Sequence, residues 1–305
     1  MKKKWMVVLV LILSVFAFAA CGGSEEGEEI VLVEGQFSEP TIVMHMTGIL
    51  IEENTDLSVT YHDAMATVPI YNALQDEDID MNLGYDGTLL TTILGYDPSD
   101  VPEGEELFEF AKQKAEEEIG VTLSEKFGFE NTYALAIKED FAEENGIETI
   151  SDLVPYGPEL VFGAEHEFFE EEGTMRFNPF NDYYGFEWAD SKSIDIGLKY
   201  SAMDNGNIDV TMVYSTDGLN QASNLRILED DKEFFPEYFA SHSMRDTLYE
   251  EFADSAPNLE EVLLMMEGQI SNEEMIDMNY RADAEGEDPH DIAMDFLIEK
   301  GLIEE

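Results

Sequence analysis

Ala73-Leu-Gln-Asp-Glu-Asp78-Ile79-Asp80-Met81-Asn-Leu83-Gly-Tyr85 can be laid without a gap on Ala202-Met-Asp-Asn-Gly-Asn207-Ile208-Asp209-Val210-Thr-Met212-Val-Tyr214. Each stretch reads as a helix end, a tight polar turn, a buried strand, and a Tyr followed within four residues by Gly (Gly87 and Gly218). Two copies of one helix–turn–strand unit imply two lobes of similar construction. Each lobe lifts one Tyr to the carboxyl end of a strand, where open α/β sheets bind ligands.

Outward from these units, short β-branched runs alternate with helical stretches. The runs 30–34, 57–61, 79–85, 133–137, 160–163, 208–214 and 225–229 read as strands. The stretches 103–119 and 289–300 carry apolar residues at helical spacing. Alternation of this kind predicts an α/β fold with helices covering both faces of its sheets.

The 305-residue chain holds 69 Asp or Glu and only 15 Lys or Arg, a formal charge of −54. A hydrophobic fraction of 44% separates it from disordered acidic tails. So negative a surface repels a polyphosphate, which excludes nucleic acid as a partner. The acidity is spread along the whole length. That distribution points to strong brine, where the Debye length is about 3 Å at 1 M salt and self-repulsion is muted.

The N-terminus is a separate instruction. Lys2, Lys3 and Lys4 precede an apolar run from Trp5 to Ala20, relieved only by Ser14. The run is too short for a bilayer span, which needs about 20 residues, and suits a signal peptide. It ends in Phe18-Ala19-Ala20-Cys21, and Cys21 is the only cysteine. This resembles a bacterial lipobox, in which the thiol is diacylated and the chain cut just before it, although the pattern prefers Leu where Phe18 stands. Residues 1–20 are thus expected to be a lipoprotein signal peptide, and 21–29 a lipidated Cys with a flexible polar linker. Cleavage removes three lysines and no acids, which brings the charge to −57. The expected location is extracytoplasmic, on the cell membrane through the lipid alone.

Signatures of catalysis are weak. G-x-S-x-G, H-E-x-x-H and P-loop sequences are absent, and carboxylate pairs are too numerous for any one pair to stand out. No metal site or cofactor is expected, nor any enzymatic activity. The tyrosines are more informative. Tyr85, Tyr133, Tyr214 and Tyr238 all sit where strands end or turns begin. A tyrosine hydroxyl needs a polar partner, so a purely apolar core suits these residues poorly, and each taken singly also reads as an ordinary half-buried strand residue. Electron-rich ring faces suit a quaternary ammonium group, which cannot donate a hydrogen bond and is held by cation–π attraction.

Seven stretches, GYDGT, ENTYALAIKED, TISDLVPY, GAEHEFFE, GLKYSAMDNGNIDV, YSTDG and LEDDKEFFPEY, occur in this order. Their order and spacing resemble the osmoprotectant-binding lipoproteins of ABC importers for glycine betaine, carnitine and choline. The resemblance implies the two-lobed periplasmic-binding-protein fold of type II, with ligand in the inter-lobe cleft. It places lobe 1 at 30–131 and 240–305, and lobe 2 at 132–239. It implies a monomer that delivers its ligand to an ABC permease and ATPase complex. By motif, Tyr85, Tyr133, Tyr214 and Tyr238 fall on the family's tyrosine box. Asn131 matches a position lining the ammonium pocket, and Thr88 one that contacts the ligand's polar end.

Two departures bear on specificity. Relatives often carry Gln, helping to hold a carboxylate, where this chain has Pro40 in Gln36-Phe-Ser38-Glu39-Pro40. Many also carry an Arg after the HEFF motif, where this chain has Glu171. Losing both weakens the case for a zwitterion and strengthens that for choline, unless Arg176 takes over the carboxylate. A lipid-anchored sensor or scavenger of a similar cation, a secreted acidic hydrolase and a structural surface lipoprotein are the alternatives.

Overall fold

The computed structural model describes residues 28–170 and 175–304. The predicted signal peptide, Cys21, most of the linker and Glu171 lie outside the described residues.

The chain builds ten strands: β1 (Glu29–Val33), β2 (Ser58–His62), β3 (Met81–Tyr85), β4 (Val121–Leu123), β5 (Tyr133–Lys138), β6 (Val161–Ala164), β7 (Asp190–Ser193), β8 (Val210–Tyr214), β9 (Leu225–Leu228) and β10 (Ala240–Arg245). They form two five-stranded sheets, ordered β2-β1-β3-β10-β4 and β7-β6-β8-β5-β9. The helices that matter below are α1 (Ser38–Asn54), α2 (Thr67–Gln75), α3 (Leu107–Ile119), α4 (Lys199–Asp204), α5 (Asn272–Tyr280) and α6 (Pro289–Glu299). Each sheet has its own apolar core. Around the first sheet, Ile30, Leu32 and Met81 pack against α1, α5 and α6 on one face. Val33, Leu74, Phe108 and Val121 fill the other. Around the second, Leu135, Phe162, Phe180 and Met212 form a separate core.

The internal repeat persists at atomic detail. In the first lobe the Asp80 N–H donates to Val31 O at 2.8 Å, and the Val31 N–H donates to the Asp80 carboxylate at 2.6 Å. In the second, Asp209 and Val161 make the same two bonds, at 2.8 and 2.9 Å. Before each Asp the helix closes identically, with Asp78 N–H donating to Ala73 O and Asn207 N–H to Ala202 O, both at 2.9 Å. The turn needs a left-handed residue, which is Gly206 (φ +66°) in one copy and Glu77 (φ +61°) in the other. Only Gly adopts that conformation without a Cβ penalty. Glu77→Gly is therefore expected to stabilise the protein by about 0.5–1 kcal/mol, measured by denaturant unfolding.

The predicted strands are present with ends shifted by a residue or two. The helix expected from 103 begins at Leu107, because Pro102 and Gly104, at φ +89°, hold the preceding segment in a turn. The strands β4, β7 and β10 were not foreseen. β10 joins the first sheet antiparallel to both β3 and β4, so the chain returns to the first sheet after completing the second.

Candidate functional site

The carboxyl end of β3 delivers Tyr85, and the carboxyl end of β8 delivers Tyr214. Tyr133 opens β5 and is the direct cross-strand partner of Tyr214, which brings their ring centroids to 5.3 Å. Tyr238 reaches in from the segment leading to β10, with its ring edge-on to Tyr133 at 6.1 Å. All four line one cleft between the sheets, together with Thr88, Asn131 and Arg176. The cleft encloses about 1050 Å³, counting its open mouth. Every candidate ligand-binding residue from the sequence therefore faces a single space.

The motifs around the tyrosines supply their support. Phe168 of HEFF packs on Tyr133 at 6.2 Å, and Phe235 of FFPEY at 5.8 Å. Gly87 lies under the Tyr238 ring so closely that a Cβ there would stand 2.8 Å from it. Phe37 stacks parallel on Tyr214, with centroids 5.6 Å apart. The ammonium of Lys199, itself buried, sits 4.8 Å from the Tyr214 centroid and donates to Glu165 at 2.9 Å. Burial pushes the Tyr133 hydroxyl up to about 12 and holds those of Tyr85, Tyr214 and Tyr238 above the usual phenol value as well. All four rings stay neutral across the physiological range.

Arg176 is 8% exposed and lines this cleft. Its Nη1 donates to the Met175 carbonyl at 3.1 Å, and its Nε has no hydrogen-bond partner. Among the described residues no carboxylate pairs with it. Its charge nonetheless pulls the pKa of both Tyr133 and Tyr238 down against the larger upward effect of burial, which places the guanidinium beside the box. A buried guanidinium with open donors has the chemistry to bind a carboxylate in two-pronged fashion. Pro40, standing where a carboxylate-holding Gln was expected, lines the cleft and packs against Gly35, where a Cβ would lie 2.3 Å from the Pro40 ring.

Two features escaped the sequence. One is Phe37, which lines the cleft and whose only advance signal was its place inside the QFSEP segment. The other is Glu39, fully buried behind the box. Its Oε1 accepts from the Tyr85 hydroxyl at 2.5 Å and from Asn131 Nδ2 at 2.7 Å. Its Oε2 accepts from the Thr216 hydroxyl at 2.5 Å and from Asn279 Nδ2 at 2.9 Å. Burial raises the pKa of this carboxyl, and the four hydrogen bonds oppose the rise.

Asp86, next to Tyr85, is also buried. Its Oδ1 accepts from the Gly87 and Phe239 amides, while its Oδ2 has no partner. Burial lifts its pKa from 3.8 to about 7. Between those values the folded protein holds a proton that the unfolded chain has lost, so this group's contribution to stability falls as pH rises and is gone above 7. Asp86→Asn is expected to be more stable than wild type at pH 8, by at most about 4 kcal/mol. The difference should shrink toward zero near pH 4, as read by paired denaturant titrations.

The chain is similar throughout its length to known solute-binding proteins. It is 32% identical to the carnitine transport binding protein of Listeria monocytogenes, over all of this chain and 99% of that one. It is 29% identical to an ergothioneine transport permease/binding protein of Helicobacter pylori, over 97% of this chain and 52% of that one. A solved glycine betaine/carnitine/choline ABC transporter structure superposes with a TM-score of 0.74 at 30% identity, covering 90% of this chain and 98% of that one. The profile described as the substrate binding domain of ABC-type glycine betaine transport systems matches residues 28–299. The protein belongs to that family, which comprises two-lobed solute-binding components of ABC importers rather than enzymes.

Proposed function

We propose that this protein captures a quaternary-ammonium solute that also carries a carboxylate, such as glycine betaine or carnitine, and delivers it to an ABC permease and ATPase. The observation that carries this reading is the company Arg176 keeps: a buried guanidinium, without a carboxylate partner among the described residues, beside four tyrosine rings in one cleft. Ring faces take the methylated cation, which has no proton to donate, and the guanidinium takes the anion. Arg176 thereby does the work of the absent Gln and Arg at Pro40 and Glu171. Choline, a cation with no carboxylate, brings no anion for Arg176 and sets its own charge against the guanidinium. The Listeria relative is named as a carnitine transport binding protein, and carnitine is a solute of this class.

In this reading residues 30–131 with 240–305 form one lobe and 132–239 the other. They close about the two crossings at 131–132 and 238–240, which bring Asn131 and Tyr238 to the box. The mature chain is tethered through a lipid on Cys21 and works in high salt. There the long-range field of its −57 charge is screened and only the pocket selects. Among the described residues no helix is long and apolar enough to cross a membrane.

The test is calorimetric titration of mature protein in about 2 M salt, which suppresses self-repulsion, with glycine betaine, carnitine and choline side by side. Binding of the two zwitterions well ahead of choline is expected. A folded protein that binds none of the three would overturn the reading. Binding of choline alone would remove Arg176 from it.

A further inference from the structure

We infer that Glu39 is the buried counter-charge of the tyrosine box, an ionised carboxylate that makes the site prefer a cation to an uncharged group of the same shape. The inference rests on the box as the ammonium site and adds a residue that does not itself line the cleft.

Glu39 stands in the first turn of α1 with no exposed surface. Its four partners come from separate parts of the chain: Tyr85 at the end of β3, Asn131 in the crossing segment, Thr216 just after β8, and Asn279 in α5. Two of them are amide nitrogens, which can only donate. Asn279 spends its other Nδ2 proton on the Thr216 carbonyl at 2.9 Å, so its amide cannot be turned over without placing oxygen against oxygen. With two donors on each carboxylate oxygen, every lone pair is occupied. A carboxyl proton would need the Tyr85 or Thr216 hydroxyl to turn and accept, while the four donors together favour the ionised form against the rise that burial imposes. Among the described residues no Lys, Arg or His pairs with Glu39. A buried carboxylate without a cation is costly. Two cavities adjoin it: a second one, which Glu39 lines with Thr216, Asp217 and Asn279, and the box, reached through Tyr85 and Asn131. Of the two, only the box is walled by all four tyrosines.

Two of the four partners carry the charge forward. Tyr85 donates its hydroxyl to Glu39 and lines the cleft with its ring, so electron density drawn from the carboxylate enriches the ring meant to meet the ammonium. Asn131 gives its Nδ2 to Glu39 and leaves its Oδ1, the negative end of the amide dipole, with no hydrogen-bond partner, while its side chain lines the cleft.

The test compares glycine betaine with 3,3-dimethylbutanoate, which keeps the carboxylate and the three methyls but has carbon in place of the charged nitrogen. A cation about 8 Å from a carboxylate, at an effective dielectric of about 20, gains roughly 30-fold in affinity. Glu39→Gln should therefore weaken glycine betaine by about 30-fold and leave 3,3-dimethylbutanoate unchanged or tighter. Both ligands are titrated calorimetrically, with circular dichroism as the check on folding. Equal weakening of both ligands would mean that Glu39 only braces the box, and unaltered betaine binding would mean that its charge is irrelevant. Either result overturns the inference. If Glu39→Gln does not fold, Tyr85→Phe keeps the ring and breaks the bond to Glu39. It should weaken betaine by about 3-fold or more, as the loss of one charge-assisted hydrogen bond implies, and spare the isostere, whereas equal losses overturn the proposal. Wild type failing to bind betaine at all is a different outcome, because it sinks the box reading itself and this inference with it.

Discussion

Arg176→Met is expected to weaken glycine betaine and carnitine by about 100-fold or more, and to leave choline binding unchanged or tighter. The guanidinium is buried without a carboxylate partner among the described residues, so its desolvation is uncompensated until a ligand supplies one. A buried, charge-assisted pair of this kind is worth roughly 3 kcal/mol when one partner is removed, which is about two orders of magnitude in affinity. Methionine keeps the length and much of the volume of the arginine stem, so the cleft should hold its shape. The empty protein should gain stability, because an unpaired buried charge has gone. Thermal unfolding separates the two effects. The variant should melt higher than wild type without ligand, yet show little further rise with glycine betaine, since ligand stabilisation scales with the logarithm of concentration over the dissociation constant. A wild-type response to betaine in this variant would show that another group holds the carboxylate.

How much of this was legible beforehand depends on whether a residue's local pattern matches its surroundings. β3 and β8 announced themselves because both are apolar runs ending in Tyr, and the repeat that joins them extends to the hydrogen bonds of Asp80 and Asp209. β10 was invisible for the opposite reason. Its sequence, Ala-Ser-His-Ser-Met-Arg, has no β-branched residue, yet all six positions are buried. The fold makes that strand central by giving three of its four polar side chains a partner from another element, while the Ser241 hydroxyl is buried without one. His242 meets the Thr47 hydroxyl at 2.8 Å, Ser243 meets that of Tyr71 at 2.9 Å, and Arg245 reaches Asp80 at 2.5 Å. Such pairings are tertiary facts with no trace in periodicity. β7, Asp-Ser-Lys-Ser, is a fully exposed edge strand, whose polarity reads as loop.

The same contrast runs through the site. The four tyrosines could be named through the family resemblance, since each taken singly reads as an ordinary half-buried strand residue, and the structure brings all four to one cleft. Arg176 could be named because so few cations exist in this chain. Glu39 could not be picked by its charge, as one carboxylate among 69 acids, and shared with Phe37 only the signal of its place in the QFSEP segment. In an acidic protein the informative charges are the scarce positive ones, and a functional acid is found only once burial is known.

Tyr214→Ala should cost more than any other single ring, by about 100- to 1000-fold for every quaternary-ammonium ligand. Its ring is held more firmly than a lone aromatic would be, with Phe37 stacked on it, Tyr133 paired across the strands, and the Lys199 ammonium 4.8 Å from its centroid. Truncation removes one cation–π contact, about 2 kcal/mol when desolvated, and the packing that fixes Phe37 and Tyr133 around the ligand, for a total of roughly 3–4 kcal/mol. Tyr214→Phe separates the two roles of the side chain. It keeps the ring face and the stacking, so its loss should stay within about 5-fold if the π surface rather than the hydroxyl holds the ligand. The ordering is the discriminating result in calorimetric titrations: wild type close to Phe, and both far above Ala, for glycine betaine and choline alike. A Phe variant as weak as Ala would mean that the hydroxyl makes the contact, to a polar group of the ligand rather than to its quaternary nitrogen, which cannot hydrogen-bond. An Ala variant that binds as well as wild type, while remaining folded, would remove the tyrosines from the site and leave Arg176 to be explained by an anion alone.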